Sequence, residues 1–375
     1  MNFTLHLSNK CNMACKYCDV KKNPVQVMKI ETIRNIIDMP ALDSSESTGI
    51  IFFGGEPLLN KDLIYQTIEY CNRKKEQEGR NFHFQMTTNG LLLDEDFLDY
   101  AAKEKIWIAL SHDGIEDAHD KNRVDCNGKD TFSKLSQIID ILLKVHPYAP
   151  VMMVVNPDTV YQYSQSVKYL FNRGFKYIIP TLNYTGDWSE QSLKILEKEY
   201  EKLAVFYSDM TISEEKFYFS PFDSKISSHI NKIEYCKNRC QLGKRQISVD
   251  PEGNLFPCVQ FVGDSEYIIG HAETGVDETK RQKLYTLNSE EKKPCTKCAI
   301  RERCNHYCGC LNKMTTGKVD EISPVLCAHE RILIPIADKL AEKLFKKRSA
   351  MFIHKHYNDA YSFISVIEDI AKTKR

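Results

Sequence analysis

Short apolar runs alternate with longer amphipathic segments through the first half of the chain. Runs rich in β-branched or aromatic residues predict six strands, at 3–7, 49–53, 82–86, 106–110, 151–155 and 177–181. Apolar residues spaced three or four positions apart predict helices between them, at 30–39, 61–76, 94–104, 131–145 and 159–173. This alternation indicates an α/β fold with a parallel sheet and helical crossovers. Because a closed TIM barrel has eight such units, the pattern predicts a partial (β/α)6 TIM-like barrel.

The alternation ends in the second half of the chain. Helical spacing continues at 189–208 and returns at 329–347, whereas the pattern loosens at 211–235. Turn-forming residues at 250–254 separate two apolar segments and predict a β-hairpin at 249–258. We therefore expect three parts: a barrel domain at 1–215, a cysteine-rich domain with a hairpin and C-terminal helices at 216–345, and a helical tail at 346–375.

Composition excludes several classes of partner. The 375 residues include 51 Lys plus Arg and 51 Asp plus Glu, so no net charge favours nucleic acid or an anionic membrane. No run of about 18 apolar residues predicts a membrane span, and positions 1–10 do not read as a signal peptide. We therefore expect a cytoplasmic protein without nucleic-acid or membrane partners. In that compartment, 14 cysteines favour thiols kept for metal over a disulfide framework.

Three cysteines lie within eight residues directly after the first predicted strand, at Cys11, Cys15 and Cys18. A loop of this spacing can ligate three irons of a 4Fe–4S cubane and leaves the fourth iron without a local protein ligand. An open metal position can bind an external molecule. A closed zinc site fits poorly, because structural zinc takes four N or S ligands. Tyr17, just before the last cysteine, could offer a flat face to a purine.

The pattern Cys-x3-Cys-x-aromatic-Cys after a first strand resembles the radical S-adenosylmethionine (SAM) superfamily. The resemblance implies that SAM chelates the open iron through its amino and carboxylate groups. It also implies that the reduced cluster cleaves SAM to a 5′-deoxyadenosyl radical, which abstracts hydrogen from a substrate. The protein would then supply position and electrostatics.

Polar and glycine-rich turns follow the next three predicted strands. The turn at 54–57, Gly-Gly-Glu-Pro, is a weak signal alone, but after the second strand it matches the motif through which the family holds the SAM amino group. Turns at 87–90 and 111–114 resemble segments that line the SAM pocket. His119 and Arg123 match a His-x3-Arg stretch of the family, and a solvated charged turn is the alternative. The resemblance implies these SAM-binding residues: Tyr17, Gly54, Gly55, Glu56, Pro57, Asn89 and Ser111.

Nine of the cysteines fall between positions 236 and 327. Their paired spacing is typical of metal ligands, and both zinc ribbons and iron–sulfur clusters fit it. From Cys240 onward the pattern is similar to the seven-cysteine SPASM domain, which follows a radical SAM barrel and binds two auxiliary 4Fe–4S clusters. The resemblance implies a first auxiliary set of ligands, Cys236, Cys240, Cys258 and Cys308. It implies a second auxiliary set, Cys295, Cys298, Cys304 and Cys327.

Cys310 is a ninth thiol where eight suffice. It could replace Cys308, lie free in the core, or reflect a first auxiliary cluster with an open site. Two further cysteines, Cys71 and Cys126, read as lone thiols. Cys71 is most simply a small apolar helix residue.

SPASM enzymes act mainly on ribosomal peptides or proteins, and two subclasses resemble this chain. Anaerobic sulfatase maturases match its length. However, they have an Asp that acts as a general base directly after the Pro-Cys of the hairpin. This chain has Val259 at that position, and valine cannot act as a base. Maturases that link a cysteine sulfur to carbon resemble 257–263 more closely. The sequence therefore predicts a radical SAM/SPASM oxidoreductase that forms a thioether in a cysteine-containing precursor peptide.

The same resemblance implies three 4Fe–4S clusters and SAM as cofactors. The expected partners are a precursor peptide or protein substrate and reduced flavodoxin or ferredoxin as electron donor. The alternatives are a formylglycine-generating enzyme, a peptide epimerase or carbon–carbon crosslinking enzyme, and a non-catalytic zinc or iron–sulfur scaffold.

Overall fold

The computed structural model describes residues 1–20, 24–40, 47–231, 241–358 and 360–361. Two predicted cluster ligands, Cys236 and Cys240, lie outside the described residues. All six predicted strands are present and pair in parallel, which confirms the α/β partial barrel. They are β1 (Asn2–His6), β2 (Ser47–Phe53), β3 (Asn81–Thr88), β4 (Ile106–Ser111), β5 (Val151–Val155) and β6 (Tyr177–Leu182).

The helices that connect these strands begin where the sequence offers a cap. Asp94 accepts a hydrogen bond from the backbone N–H of Phe97, and Ser189 accepts one from Ser192, as N-cap residues do. An additional short helix, α4 (Glu116–Asn122), contains His119 and ends just before Arg123. The helices are α1 (Ile30–Asp38), α2 (Lys61–Glu78), α3 (Glu95–Lys103), α4 (Glu116–Asn122), α5 (Phe132–Val145), α6 (Tyr163–Asn172) and α7 (Glu190–Ile212).

The second half contains short strands and further helices. The predicted hairpin is present, because β8 and β9 pair antiparallel with Val249 opposite Leu255. The strands are β7 (Tyr218–Phe219), β8 (Gln246–Val249), β9 (Asn254–Phe256), β10 (Gly270–His271) and β11 (Gly275–Val276). The helices are α8 (Ser220–Asn231), α9 (Glu278–Ser289), α10 (Gly309–Thr316), α11 (Pro324–Lys346) and α12 (Ala350–Tyr357).

Two features of this half were not predicted. The segment 211–235, in which the apolar spacing loosens, contains β7 and α8 in its described part. The helix expected at 329 begins five residues earlier, because Ser323 accepts a hydrogen bond from Leu326 and Pro324 occupies the first helical position.

Within the described residues, the strands form one eleven-stranded sheet in the order β11-β10-β9-β8-β1-β2-β3-β4-β5-β6-β7. The hairpin strand β8 lies beside β1 in parallel register, with Phe3 opposite Ile247. At the other side, β7 pairs with β6. The sheet therefore crosses the predicted boundary at 215, and the division into domains at 215 and 345 stays a prediction.

Helices α7, α8 and α11 pack against one another. Tyr200 and Leu203 of α7, Phe222 and Ile226 of α8 and Leu333 of α11 are all buried in the main apolar core. This packing attaches the C-terminal region to the helical layer of the barrel. No helix in the described ranges is long and apolar enough to cross a membrane.

Candidate functional site

The cysteine loop, residues 11–18, leaves the carboxyl end of β1. Its three cysteines are not joined in disulfides; Cys11 and Cys15 are half-buried and Cys18 is exposed. The backbone N–H of Met13 donates to Cys11 Sγ at 3.4 Å, and the side-chain amide of Asn89 donates to the same sulfur at 3.8 Å. Hydrogen-bond donors directed at sulfur are typical of thiolates that hold an iron–sulfur cluster.

The segment 122–126, which follows α4, holds the cysteine loop in place. Ala14 N–H donates to the carbonyl of Val124 at 2.8 Å, and Lys16 N–H donates to Asn122 at 2.9 Å. Cys126 N–H donates to the carbonyl of Asn12 at 3.1 Å. The loop therefore has a backbone partner that the sequence analysis did not identify, because residues more than 100 positions apart carry no local signal of pairing.

Gly54 and Gly55 lie directly against the backbone that enters the cysteine loop. Gly55 N–H donates to the carbonyl of Ser8 at 2.8 Å, and Glu56 N–H donates to that of Lys10 at 2.9 Å. A Cβ atom at Gly54 or Gly55 would overlap these two carbonyl oxygens, and Gly54 has a φ of +127°. The two glycines thus permit close contact between this turn and the loop. Their predicted contact with SAM stays a prediction.

Glu56 is buried and connects the ends of β2 and β3. Its carboxylate accepts hydrogen bonds from Leu58 N–H (3.1 Å), the Thr88 hydroxyl (2.7 Å) and Asn89 N–H (2.8 Å). Burial raises the pKa of Glu56, and these hydrogen bonds oppose that rise. The Asn89 side chain also donates to Asn12 Oδ1 at 2.8 Å. The structure therefore brings Glu56, Asn89 and the cysteine loop together, with Pro57 opening a short 3₁₀ turn beside them.

Tyr17 is half-buried and hydrogen-bonds two buried residues, Asp113 and Arg123. Its hydroxyl donates to Asp113 Oδ2 at 2.7 Å and accepts from Arg123 Nη1 at 2.5 Å. Arg123 Nη1 also lies 3.8 Å from Asp113 Oδ1. Burial raises the pKa of Tyr17, so the phenol stays protonated. His119 is also buried and accepts a hydrogen bond from the Asp113 N–H at 3.3 Å. A solvated charged turn is therefore wrong for His119 and Arg123. Ser111 ends β4 half-buried, and its contact with SAM stays a prediction.

The second auxiliary set converges around α11. Cys295 lies close enough to Cys298 and Cys327 to interact with them electrostatically, and Cys304 lies close enough to Cys295 to do the same. Burial raises the pKa of both Cys295 and Cys304. The guanidinium of Arg331 donates to Cys327 Sγ at 3.5 Å and to Cys298 Sγ at 3.9 Å. Arg331 was missed in the sequence, although it lies one helical turn after Cys327.

Three thiols meet where the first auxiliary set is expected. Cys308 Sγ lies 3.4 Å from Cys310 Sγ, and the Cys258 thiol is also hydrogen-bonded to Cys310. Cys310 therefore lies inside this group. In the described part of the chain, no three His, Cys, Asp or Glu side chains are arranged to hold a single metal ion.

A cavity of about 270 Å³ lies between the barrel and the cysteine-rich region. This junction cavity is bounded by Pro180, Thr181 and Leu182 at the end of β6 and by Cys308 and Leu311 on the other side. It thus links the carboxyl end of a barrel strand to a predicted cluster ligand.

Buried polar groups line the same cavity. His329 hydrogen-bonds the hydroxyl groups of Tyr184 and Tyr200, each at 2.8 Å. Burial lowers the pKa of His329 to about 3, so the ring is neutral at pH 7. Lys225 and Glu330 form a 2.6 Å ion pair in which both side chains are 1% exposed. The wall of the cavity therefore combines neutral hydrogen-bonding groups with one compensated pair of charges.

A model of the radical SAM superfamily matches residues 5–179. The match starts in β1, includes the cysteine loop and the turn at 54–57, and ends in β6. The protein is a radical SAM enzyme. Such an enzyme uses a 4Fe–4S cluster and SAM.

Curated relatives of this radical SAM enzyme match most of its length. A cysteine-type anaerobic sulfatase-maturating enzyme of Clostridium novyi is 26% identical over 323 residues, covering 81% of this chain and 82% of the relative. Its counterpart in Clostridium perfringens is 24% identical over 334 residues, covering 80% of this chain and 86% of the relative. The radical SAM cyclopropyl synthase TigE of Paramaledivibacter caminithermalis is 23% identical over 335 residues, covering 82% and 68%.

Solved structures share the fold. Native anSMEcpe with bound AdoMet and the Cp18Cys peptide has a TM-score of 0.78 at 20% identity, covering 92% of this chain and 98% of that one. Streptococcus suis SuiB bound to its precursor peptide SuiA has a TM-score of 0.60 at 16% identity, covering 87% and 75%. The shared fold extends beyond the barrel into the cysteine-rich C-terminal region.

The residues of the cysteine loop fit the cluster and SAM that a radical SAM enzyme uses. Three thiols lie in one loop, and N–H groups of Met13 and Asn89 point at Cys11. Among the described residues, Nε of Arg123 is a buried donor for which no hydrogen-bond partner is present, and its charge interacts with Cys15. Soft thiolate ligands and one unpaired N–H group of a buried guanidinium fit a cluster whose open iron is bound by a carboxylate.

Proposed function

We propose that this radical SAM enzyme modifies a cysteine-containing peptide or protein and links the cysteine sulfur to a carbon of the same substrate. The junction cavity supports this most directly, because it connects the carboxyl end of β6 to Cys308. A peptide segment in the cavity would contact both the barrel and the cysteine-rich region. The peptides bound by anSMEcpe and SuiB support the same class of substrate.

The proposed roles follow the two groups of cysteines. Cys11, Cys15 and Cys18 hold the catalytic cluster, and Asn89 hydrogen-bonds the first of these sulfurs. The turn at 54–57 locates SAM beside the loop that it contacts. The first and second auxiliary sets hold two further clusters. When bound, the catalytic cluster with SAM supplies hydrogen abstraction, and the auxiliary clusters supply an electron acceptor.

Thioether formation breaks one C–H and one S–H bond and forms one C–S bond. The carbon-bound hydrogen atom leaves by abstraction, the thiol proton passes to water, and one electron leaves the substrate. This balance needs no carboxylate next to Cys258, where the chain has half-buried Val259. That side chain has no ionisable group, which favours a reaction whose proton comes from an acidic thiol.

An anaerobic assay with reconstituted protein, SAM and dithionite tests this proposal. Candidate peptides are offered in pairs, one with cysteine and one with alanine at the same position. We expect 5′-deoxyadenosine together with a cysteine peptide that has lost the mass of a hydrogen pair, retains sulfur and no longer reacts with iodoacetamide. Equal turnover of the cysteine and alanine peptides would overturn the thioether proposal.

Formylglycine formation is the second candidate, because two relatives that cover about 80% of the chain are named cysteine-type anaerobic sulfatase-maturating enzymes. The same assay separates the two reactions. Formylglycine formation removes the sulfur and leaves an aldehyde that a hydrazide probe captures. A thioether retains the sulfur and gives no hydrazide adduct.

We propose reduced flavodoxin or ferredoxin as the electron donor and three 4Fe–4S clusters as the full complement. Metal and sulfide analysis of protein purified without oxygen checks the clusters, with about twelve irons expected per chain. Zinc with little sulfide would instead indicate the scaffold alternative. Replacement of dithionite by each reduced protein in the assay above tests the donor.

A further inference from the structure

Cys310 occupies the central position among the three thiols of the first auxiliary region. Its sulfur is 3.4 Å from that of Cys308 and is hydrogen-bonded to that of Cys258. These two partners come from separate parts of the chain, the segment after β9 and the start of α10. A lone core thiol would contact apolar atoms alone, as is usual for a buried cysteine. Cys310 instead faces two other sulfurs.

The sulfurs of Cys308 and Cys310 are carried by the first residues of one helix, α10. Cys308 is the N-cap of α10 and Cys310 is the second residue of that helix. The first N–H groups of a helix have no partner within it and, with the helix dipole, stabilise negative charge. Gly309 between them packs closely against Asn288, where a Cβ would overlap the amide oxygen. The backbone at the start of α10 therefore lies directly against Asn288.

The other side of Cys310 is apolar. Cys310 is 8% exposed and belongs to a small core cluster with Leu242, Phe256, Phe261 and Val319. A thiolate in such a place is costly unless an opposite charge compensates it. A bound iron would supply that charge, and the apolar wall would keep water away from the sulfur.

We propose that Cys310 is a thiolate ligand of the first auxiliary cluster, together with Cys258 and Cys308. This rests on the auxiliary clusters proposed above and is independent of which bond the enzyme makes. The first auxiliary set has four cysteines, and Cys310 makes five. A 4Fe–4S cluster has four irons, so one of these five thiols is not needed as a ligand.

Three variants test this assignment in protein purified and reconstituted without oxygen. Cys310→Ala removes the proposed ligand, Cys258→Ala removes an expected ligand of the same cluster, and Cys71→Ala is the matched control, a buried thiol in α2. We expect Cys310→Ala and Cys258→Ala each to lose about a third of the iron and sulfide, because one of three clusters is lost. Both should lose the same component of the reduced EPR spectrum, whereas Cys71→Ala keeps all of it.

Cys310→Ser covers the case in which Cys310→Ala fails to fold. Serine can ligate iron through oxygen, so a folded Cys310→Ser protein should retain the cluster with altered g-values. Full iron content and an unchanged EPR spectrum in either Cys310 variant would overturn the assignment. So would a Cys308–Cys310 disulfide found by mass spectrometry in the anaerobic parent protein. Parent protein with only about four irons would overturn the auxiliary clusters themselves, which distinguishes that failure from this one.

Discussion

The Arg123 guanidinium donates a 2.5 Å hydrogen bond to the hydroxyl of Tyr17, the residue just before the third cysteine of the loop. The same hydroxyl donates to Asp113 at the end of β4. Arg123 and Asp113 are almost fully buried, at 6% and 2% exposure of their side chains. The Tyr17 hydroxyl thus connects the cysteine loop to the barrel, because it hydrogen-bonds both members of this charged pair.

Two substitutions at Tyr17 separate this attachment from the predicted contact with SAM. Tyr17→Phe removes the hydroxyl and leaves Arg123 and Asp113 with one hydrogen bond fewer, so we expect a loss of about 1–2 kcal/mol in the free energy of unfolding. It keeps the ring, so SAM affinity should not change. Tyr17→Leu should also weaken SAM binding about tenfold if the ring stacks on the purine. Calorimetric titration with SAM and urea denaturation measure the two effects; equal SAM affinity in both variants would exclude a role for the ring.

Cys15→Ala should abolish formation of 5′-deoxyadenosine, because a cluster needs all three thiolates of the loop. The matched control is Cys126→Ala, an exposed thiol whose backbone pairs with Asn12 beside the loop. That variant should retain SAM cleavage. Chromatography of anaerobic reactions measures the product. Undiminished cleavage in Cys15→Ala would refute the proposed cluster.

Gly55→Ala should displace the cysteine loop, because the new Cβ would overlap the carbonyl of Lys10. We expect a loss of about 1–3 kcal/mol in stability and of about four irons per chain. Gly79→Ala is the control: Gly79 caps α2 with a φ of +68° and has open space around its Cβ position. It should cost about 1–2 kcal/mol through backbone strain alone and leave the iron content intact. Equal iron loss in both variants would contradict a specific role for Gly55.

Arg331→Gln should lower the reduction potential of the second auxiliary cluster. It removes a positive charge and two N–H···S hydrogen bonds, both of which favour the reduced cluster. A difference of about 1 kcal/mol between the oxidation states corresponds to a shift on the order of 40 mV for one electron. Lys339→Gln removes an exposed charge from the same helix and should shift the potential less. A redox titration followed by EPR compares them; equal shifts would mean that Arg331 acts only as a distant charge.

The barrel strands were predictable because they carry their signal locally. Strands such as Val151–Val155 are uninterrupted apolar runs that become buried. Helix α8 carries a weaker signal, since its buried residues include Lys225, compensated by Glu330 more than 100 positions away. The strands β7, β10 and β11 are two residues long and too short for any periodicity. Their position depends on neighbours in the sheet.

The same distinction holds for the site. Cys11, Cys15 and Cys18 were visible because a metal-binding loop keeps its ligands close in sequence. The partners of that loop are distant: Asp113 and Arg123 follow Tyr17 by 96 and 106 positions. The proposed roles of Arg331 and Cys310 depend on the sulfur atoms that lie beside them in the folded chain. Contacts of this kind arise from tertiary packing, which one sequence does not reveal.

His329 predicts a dependence of stability on pH. Its ring is buried between Tyr184 and Tyr200, and burial lowers its pKa from 6.5 to about 3. The unfolded chain binds a proton at this position below pH 6.5 while the folded protein does not, so stability falls as the pH decreases toward 3. Between pH 6.5 and 5 this one group should cost about 2 kcal/mol.

His329→Gln isolates this contribution from those of the other buried histidines. Glutamine keeps hydrogen-bonding atoms for the two phenols but has no ionisable group. The free energy of unfolding is measured by urea denaturation at pH 7.5 and at pH 5 for both proteins. Packing changes are common to the two pH values and cancel in the difference. The variant should lose about 2 kcal/mol less than the parent over this range; an identical loss in the two proteins would mean that His329 does not remain neutral in the folded state.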